Sequence, residues 1–578
     1  MIKMYERNYE LLRSKFSEFF LPTLFTSMAG NICLFVDGLI VSFLLGAGNL
    51  SAIQIVAPVA TFVNLIYWMI GLGGSVLCSV AKAEFDSNKS NAYFTVAIMS
   101  LLTIGILIAV FGVAFSGSIA KFLCASQSAL IPDVTSYFVL LIIGMPFLCY
   151  MMSLSYFIRA DGIPTLPFRA ILLANIINIC FDVIYIKFFA LGIGGAALAS
   201  STGFLMGSIF ISYYFFKSER TLQFIKLKAG KFFNYLKEIV TSGFSSSSTQ
   251  LYLTLKLFII NILLGIYIGK SGLVAFGICY NSLFILYIFL IGTAQTMSPI
   301  VSVYFKEEDY SGVNYVIHRS LKIVLVSSLA LSALFIVYPQ SLLMLYSVKN
   351  PADVPVVLNA LRIFAISYVG TAITFLYTFY SQAIQKNQLS TIISLLEGLV
   401  LPIGFAVALS FVFGGNGIWI SFALAEIFTI VFIFAYSKHI SKKTGREYSG
   451  FFINKHNDNN VFEHTIKGNI GEAVNLSRQV QDYLKDNKSS TLVSLAIEEM
   501  LVNIINSNDE VDTIDVIVRD NGDEILISIK DTGIDFNPVI ENDDLQFDNI
   551  SVLNKIAEKI DYSRVLGLNS TVITIKNN

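Results

Sequence analysis

The chain has 578 residues, 55% of them hydrophobic, with a formal net charge of −1 and a mean hydropathy of +0.69. A soluble protein of this size rarely reaches such a value, so the composition excludes an ordinary globular enzyme and points to a polytopic membrane protein. Near-neutrality hides two opposite parts: residues 455–578 hold 11 Lys and Arg against 22 Asp and Glu, and the remainder is basic.

The N-terminus, MIKMYERNYELLRSKF, is too charged for a signal peptide. Apolar windows of spanning length follow near 17–45, 51–81, 92–116, 133–157, 166–189 and 193–216. A second set falls near 240–268, 273–304, 317–340, 354–384, 390–413 and 416–437. These predict an all-α polytopic fold of twelve transmembrane helices in two six-helix lobes, an N-lobe over 10–228 and a C-lobe over 229–440. A linker over 441–459 leads to a small α+β domain over 460–578. Six basic residues crowd the 217–238 loop, with more at the N-terminus (Lys3, Arg7, Arg13, Lys15) and after the last span (Lys438, Lys442, Lys443, Arg446). The opposite loops hold about one each, so the positive-inside rule predicts a multi-pass plasma-membrane protein with both termini cytoplasmic. All six cysteines lie in the membrane part, with neither disulfide nor metal spacing.

The two sets of spans resemble each other. "LLGAGNLSAIQIV" (44–56) aligns with "YIGKSGLVAFGIC" (267–279) at an offset of 223, and the same offset brings 81–94 beside 304–316. A duplicated six-helix unit is the mark of a two-lobed secondary transporter.

Within the fifth span, "NIINICFDVIYI" (175–186) carries Asn175, Asn178 and Asp182 on one helix face. A carboxylate in hydrocarbon costs roughly 3 kcal/mol or more, so such a face needs a partner or a function. In the second lobe Lys256 lies about 12 residues, roughly 18 Å, inside its span, too deep to snorkel easily. Glu397 and Glu426 are the carboxylates well inside the C-lobe spans, and a Lys256–Glu397 pair lining a central cavity would offset the desolvation of both.

The tail predicts helices over 472–487, 490–507 and 549–560. The strands TIDVIVRD (513–520) and EILISIKD (524–531) meet at Asn521–Gly522, a hairpin signal, and TVITIK closes the chain as a strand.

The motifs "FLPTLFTSMAGNICLFVDGLIVSFLLG" (20–46), "IRADGIPTLPF" (158–168), "NIINICFDVIYIKFFALGIGGAALAS" (175–200) and "GGNGIWISFALAE" (414–426) resemble the multidrug and toxic compound extrusion (MATE) family over nearly all of residues 10–440. That resemblance implies a V-shaped antiporter expelling organic cations or other amphipathic drugs in exchange for Na⁺ or H⁺. It also implies an N-lobe ion site of Asp37, Asn178, Asp182 and Ser200, the last a Ser where the family often has Thr. Such a set pools hard oxygen ligands, and two carboxylates sharing a site can hold one proton between them. Partners would be amphipathic small molecules and the bilayer, with no nucleic acid, and the transporting unit a monomer.

Two tail motifs resemble the Bergerat-type (GHKL) ATP-binding fold, in the branch of anti-sigma-factor serine kinases. "IEEMLVN" looks like the box in which Asn503 binds Mg²⁺ of a nucleotide and Glu499, the catalytic candidate, can orient water or a hydroxyl. "KDTGIDFNP" matches the adenine-binding pair, with Asp531 accepting from the adenine amino group and Gly533 permitting close approach. The second glycine box departs: "LQFDNISVLNKI" (545–556) has no glycine, which alters the phosphate cradle. The resemblance thus implies ATP–Mg²⁺ as a ligand of a regulatory domain, with serine-kinase-like phosphotransfer or docking of a cytoplasmic protein as the other readings.

Two further classes stand beside the antiporter. One is a polytopic signalling protein whose output is the tail; a dimerisation helix pair between about 440 and 463 would favour it, and none occurs. The other is a lipid-linked-sugar flippase, which would need several Arg and Lys in its cavity, where Lys256 stands nearly alone. No P-loop G-x-x-x-x-G-K-[ST] occurs to make ATP hydrolysis the energy source.

Overall fold

A computed structural model describes residues 7–83, 86–125, 127–161, 163, 165–217, 220–444, 461–485, 487–506, 512–533, 549–565 and 568–577. The membrane part is helical throughout. α1 (Glu10–Leu45) and α2 (Leu50–Tyr67) come first, and a π-helical turn at Trp68–Leu72 leads to α3 (Gly73–Ala83). Next come α4 (Ser87–Ala114), α5 (Ser116–Cys124), α6 (Ile131–Ala160) and α7 (Thr165–Val183), the last prolonged by a π turn at Ile184–Phe188. α8 (Gly192–Ile211) and α9 (Ala229–Tyr267) lead to α10 (Lys270–Lys306) and α11 (Tyr310–Val337). α12 (Gln340–Leu345), α13 (Asp353–Ala365), α14 (Ser367–Ala383) and α15 (Asn387–Leu395) precede a third π turn at Leu396–Val400. α16 (Leu401–Phe413) and α17 (Gly415–Thr444) end the membrane part.

Among the described residues ten helices are long and apolar enough to cross a membrane, or eleven if α13 and α14, bent by 43°, form one span. All eleven fall on windows expected from the sequence. The first expected window, 17–45, lies within α1, a continuous helix of 36 residues whose described residues include the apolar stretch Phe35–Leu45.

The tail holds β1 (Val461–Lys467), α18 (Ile470–Tyr483), α19 (Ser490–Asn506), β2 (Thr513–Asp520), β3 (Glu524–Asp531), α20 (Asn549–Ile556), β4 (Lys559–Val565) and β5 (Leu568–Lys576). All strand pairs are antiparallel, in the order β1-β2-β3-β5-β4. The Asn521–Gly522 turn forms as its residues dictate: Gly522 takes φ +89, a region glycine enters without steric cost, and its N–H donates to Asp520. One expectation fails. The helix over 549–560 stops at Ile556, and Lys559 begins β4, because Ile560 and its neighbours are spent on pairing with β5. β1 was likewise not expected.

The chain forms two compact units. One comprises residues 24–293 and 321–434, which hold most of the helices. The other gathers residues 1–23, 294–320 and 435–578. In this second unit Ile514, Val516 and Val518 of β2 and Ile525, Ile527 and Ile529 of β3 pack against α18 and α19 in the tail's own core. The opposite face of β2 carries Asp515 and Arg519, and both are buried. Arg7 is buried there as well; its guanidinium donates to Asp515 at 2.9 Å and to both oxygens of Asp309 at 2.9 and 3.0 Å.

Candidate functional site

Three clusters of buried polar groups coincide with the residues singled out from the sequence. The first lies among α1, α6, α7 and α8. Asp182, one residue before α7 gives way to its π turn, is fully buried. Such turns widen the helix locally and recur at functional sites. Asp37 of α1 faces Asp182 and Asn178, and Asn178 Nδ2 donates to Ser200 Oγ on α8 at 3.2 Å. The structure therefore brings all four residues of the expected ion face together.

Asp37 Oδ1 and both carboxylate oxygens of Asp182 are buried with no protein hydrogen-bond partner. Two ionised carboxylates cannot share a low-dielectric site uncompensated, so this pair calls for a proton or a cation. Its oxygens fit a hard ion: two carboxylates, an amide and a hydroxyl. Two tyrosines missed by sequence reasoning border the site. Tyr137 of α6 is coupled electrostatically to both carboxylates, and Tyr346, after α12, to Asp37. Neither shares an element with the carboxylates, so no spacing in the sequence marks them.

The second cluster lines a cavity of about 270 Å³ that includes Lys256, Tyr280, Tyr287, Thr371, Glu397 and Glu426. Thr371 and Thr374 of α14 donate to the two oxygens of Glu426 at 2.9 and 2.7 Å. Glu397, inside the third π turn, has its Oε2 buried with no protein donor. Lys256 feels Glu397 and then Glu426 through space, and no direct ion pair forms among the three. The expected contact between Lys256 and Glu397 is thus an electrostatic neighbourhood. Gln250, from the SSSSTQ run of α9, lines the same cavity.

The third cluster is in the tail. Glu499 and Asn503 sit one turn apart on α19, which packs on β3, and Asp531 and Gly533 lie at the end of β3. Asp531 Oδ1 accepts from the Gly533 N–H at 2.9 Å and from Asn569 Nδ2 at 2.8 Å. Asn569 Oδ1 in turn accepts from Tyr562 and Arg564 at 2.8 and 3.0 Å. Burial pushes the Asp531 carboxyl above its ordinary pKa, against the pull of Asn569, Gly533 and Arg564. Glu499 is raised too, first by burial and then by Glu498. The glycine-less segment 545–548 and residues 534–538 of the adenine motif lie outside the described residues.

Comparison with known proteins matches the chain to the MatE family over residues 22–184 and 246–408. The second match begins 224 residues after the first, in line with the repeat offset read from the sequence. Multidrug export protein MepA of Staphylococcus haemolyticus (strain JCSC1435) is 26% identical over 414 residues, covering 71% of this chain and 89% of that protein. MepA of Staphylococcus aureus (strain NCTC 8325 / PS 47) is 23% identical over 411 residues, covering 71% and 89%. An inward-facing multidrug resistance MATE family transporter of the MOP superfamily superposes with a TM-score of 0.65 at 20% identity, over 72% of this chain and 95% of that one. An outward-facing one superposes with a TM-score of 0.58 at 19% identity, over 75% and 96%. These superpositions show the fold of the membrane part. The family match spans more than half of the sequence, and the chain belongs to the MatE family of multi-pass membrane transporters.

Proposed function

We propose that this protein is a secondary antiporter that exports organic cations or other amphipathic molecules in exchange for Na⁺ or H⁺, and that its tail is a nucleotide-binding regulatory domain. The transport reading rests on one observation above all: Asp37 and Asp182 face each other in the first lobe, with Asp37 Oδ1 and both Asp182 oxygens buried and without a protein donor. Asp37, Asp182, Asn178 and Ser200 supply the oxygens for the coupling ion, and the ion is a substrate that enters on one side and leaves on the other. Ion bound in the first lobe and drug bound in the C-lobe cavity favour opposite-facing states, so each turnover exchanges one for the other. The two export proteins named MepA, similar over most of their length, support the substrate class.

In this reading α1 is the twelfth span, and the basic loop at 217–238 holds both termini in the cytoplasm. The C-lobe cavity takes the organic cation, with Glu397 and Glu426 as its counter-charges and Lys256 as the internal cation it displaces. In the tail, Asp531 and Gly533 bind adenine, and Asn503 with Glu499 holds Mg²⁺ and the phosphates. Because the lid segment lacks glycine, the domain senses nucleotide and does not power transport.

Proteoliposomes with an imposed Na⁺ or pH gradient test the transport half and name the ion. Asp37→Asn and Asp182→Asn are each expected to abolish gradient-driven export while the protein still inserts and purifies normally. Full export by either variant overturns the reading. For the tail, millimolar ATP–Mg²⁺ is expected to raise the melting temperature of the full-length protein's tail by mass action, and Asp531→Asn to remove that shift.

A further inference from the structure

The strands of the tail treat their two faces differently. One face carries the isoleucines and valines that pack on α18 and α19. The other carries Asp515, Arg519, Lys530 and Ser570, every one of them buried. A charged sheet face in a two-layer domain is ordinarily wet. Here it is covered by the turn joining α10 to α11. Lys530 pairs with Glu307 and lies 3.5 Å over the ring of Tyr304. Ser570 donates to Glu307 at 3.1 Å. Arg519 donates to the Glu308 carboxylate at 2.8 Å and also to the Glu308 carbonyl.

The register ties this face to the tail's other cluster. Lys530 pairs with Ser570 across β3 and β5, and the next rung pairs Asp531 with Asn569. Side chains alternate, so one rung grips the α10–α11 turn and the adjacent rung forms the Asp531–Asn569–Gly533 group. A single peptide unit separates them on each strand. α10 ends at Lys306, beside this turn.

We propose that the charged face of the tail sheet is a docking surface built for the α10–α11 turn, and that nucleotide held at Asp531 and Gly533 acts on α10 through it. The second clause rests on the nucleotide-binding reading of the tail given above. The docking clause rests on the contacts alone. Nucleotide fixes the end of β3, the Lys530–Glu307 contact follows, and the C-terminal end of α10 is restrained.

Hydrogen exchange on the full-length protein in lipid nanodiscs, with and without millimolar ATP–Mg²⁺, reads both ends of this path. Nucleotide is expected to slow exchange in 529–533 and, several-fold, in 304–312. Arg519→Glu is expected to speed exchange in 304–312 about tenfold, and adding Glu308→Arg to restore most of it. Ser570→Ala, which removes a neutral donor and leaves the charges in place, should act in the same direction more weakly if the charge reversal impairs folding. Protection of 529–533 with no change in 304–312 overturns the coupling and leaves nucleotide binding intact. No protection of 529–533 overturns the nucleotide reading and the coupling together. Unchanged exchange in 304–312 for both Arg519→Glu and Ser570→Ala, or no recovery in the double variant, overturns the docking surface.

Discussion

Asp309 and Glu463 sit in one network and titrate in opposite senses. Burial pushes the Asp309 carboxyl up, but Arg7, Lys530 and the Gly312 N–H outweigh it and hold its pKa below the ordinary value. A depressed carboxylate contributes stability above its unfolded pKa of about 3.9, and that contribution is lost as pH falls through the lower folded value. Glu463 is raised, first by burial and then by Asp309, so its contribution is present in acid and is lost as pH rises through its folded value. Asp309→Asn is therefore expected to cost about 3 kcal/mol at pH 7, since it leaves Arg7 buried without half of its counter-charge. Thermal unfolding from pH 7 down to pH 3 should show the gap between wild type and variant closing only in the most acid samples. In the C-lobe, Thr374→Val removes one of the two donors to Glu426 and is expected to lower stability by about 1–3 kcal/mol, read from melting in detergent. Glu308 shows how docking offsets strain: it holds φ +61, costly for a non-glycine residue, while Arg519 binds both its carboxylate and its carbonyl. The acidic residues of the spans were legible because a charge in an apolar run stands out. Tyr137 and Tyr346 were not, since a tyrosine in such a run is unremarkable until a neighbouring helix brings a carboxylate to it.

At the scale of elements, helix crossings in the membrane part depend on small residues where backbones touch. A Cβ added at Gly243 of α9 would lie 1.8 Å from the Met69 carbonyl oxygen, in the π turn that follows α2. Gly243→Ala is expected to push α9 off that turn at a cost of about 1–3 kcal/mol or more, lowering the melting temperature in detergent. Gly230→Ala, in the first turn of the same helix with nothing within 4 Å of the new methyl, is expected to be neutral or slightly stabilising. All twelve expected windows contain helices, because twenty apolar residues in a row leave the backbone no other way to satisfy its hydrogen bonds in lipid. The tail was harder to read at its ends. KIDYSRV carries no clean alternation, and only pairing with β5 makes it a strand. The three π turns were invisible in the sequence, yet one begins two residues after Asp182 and another contains Glu397. Inserting an extra residue into a helical turn is a response to packing and has no composition signal.

On the scale of the whole molecule, the tail has its own core of aliphatic side chains from α18, α19 and four strands. A chain ending near residue 450 is expected to keep gradient-driven export in proteoliposomes while losing any response to ATP–Mg²⁺. Complete loss of export by a truncated protein that still inserts would mean that the docked tail is structurally required. The sequence by itself determined the class of molecule, the repeat, the spans and the identity of the buried carboxylates. Hydropathy and charge are properties of single residues and their periodicity, and they need no folded chain to be read. It also determined the order of the tail's hairpin, whose turn residues admit one geometry. Only the tertiary structure decided that Asp37 and Asp182 face each other with three carboxylate oxygens lacking a donor, and that Lys256, Glu397 and Glu426 share one cavity. The structure alone also decided that the polar face of β2 and β3 is buried against residues 304–311. Each of these joins residues far apart in the chain, and the pattern TIDVIVRD looks the same whether its charged side meets water or Glu308. Which of the two it meets is fixed by what else folds beside it.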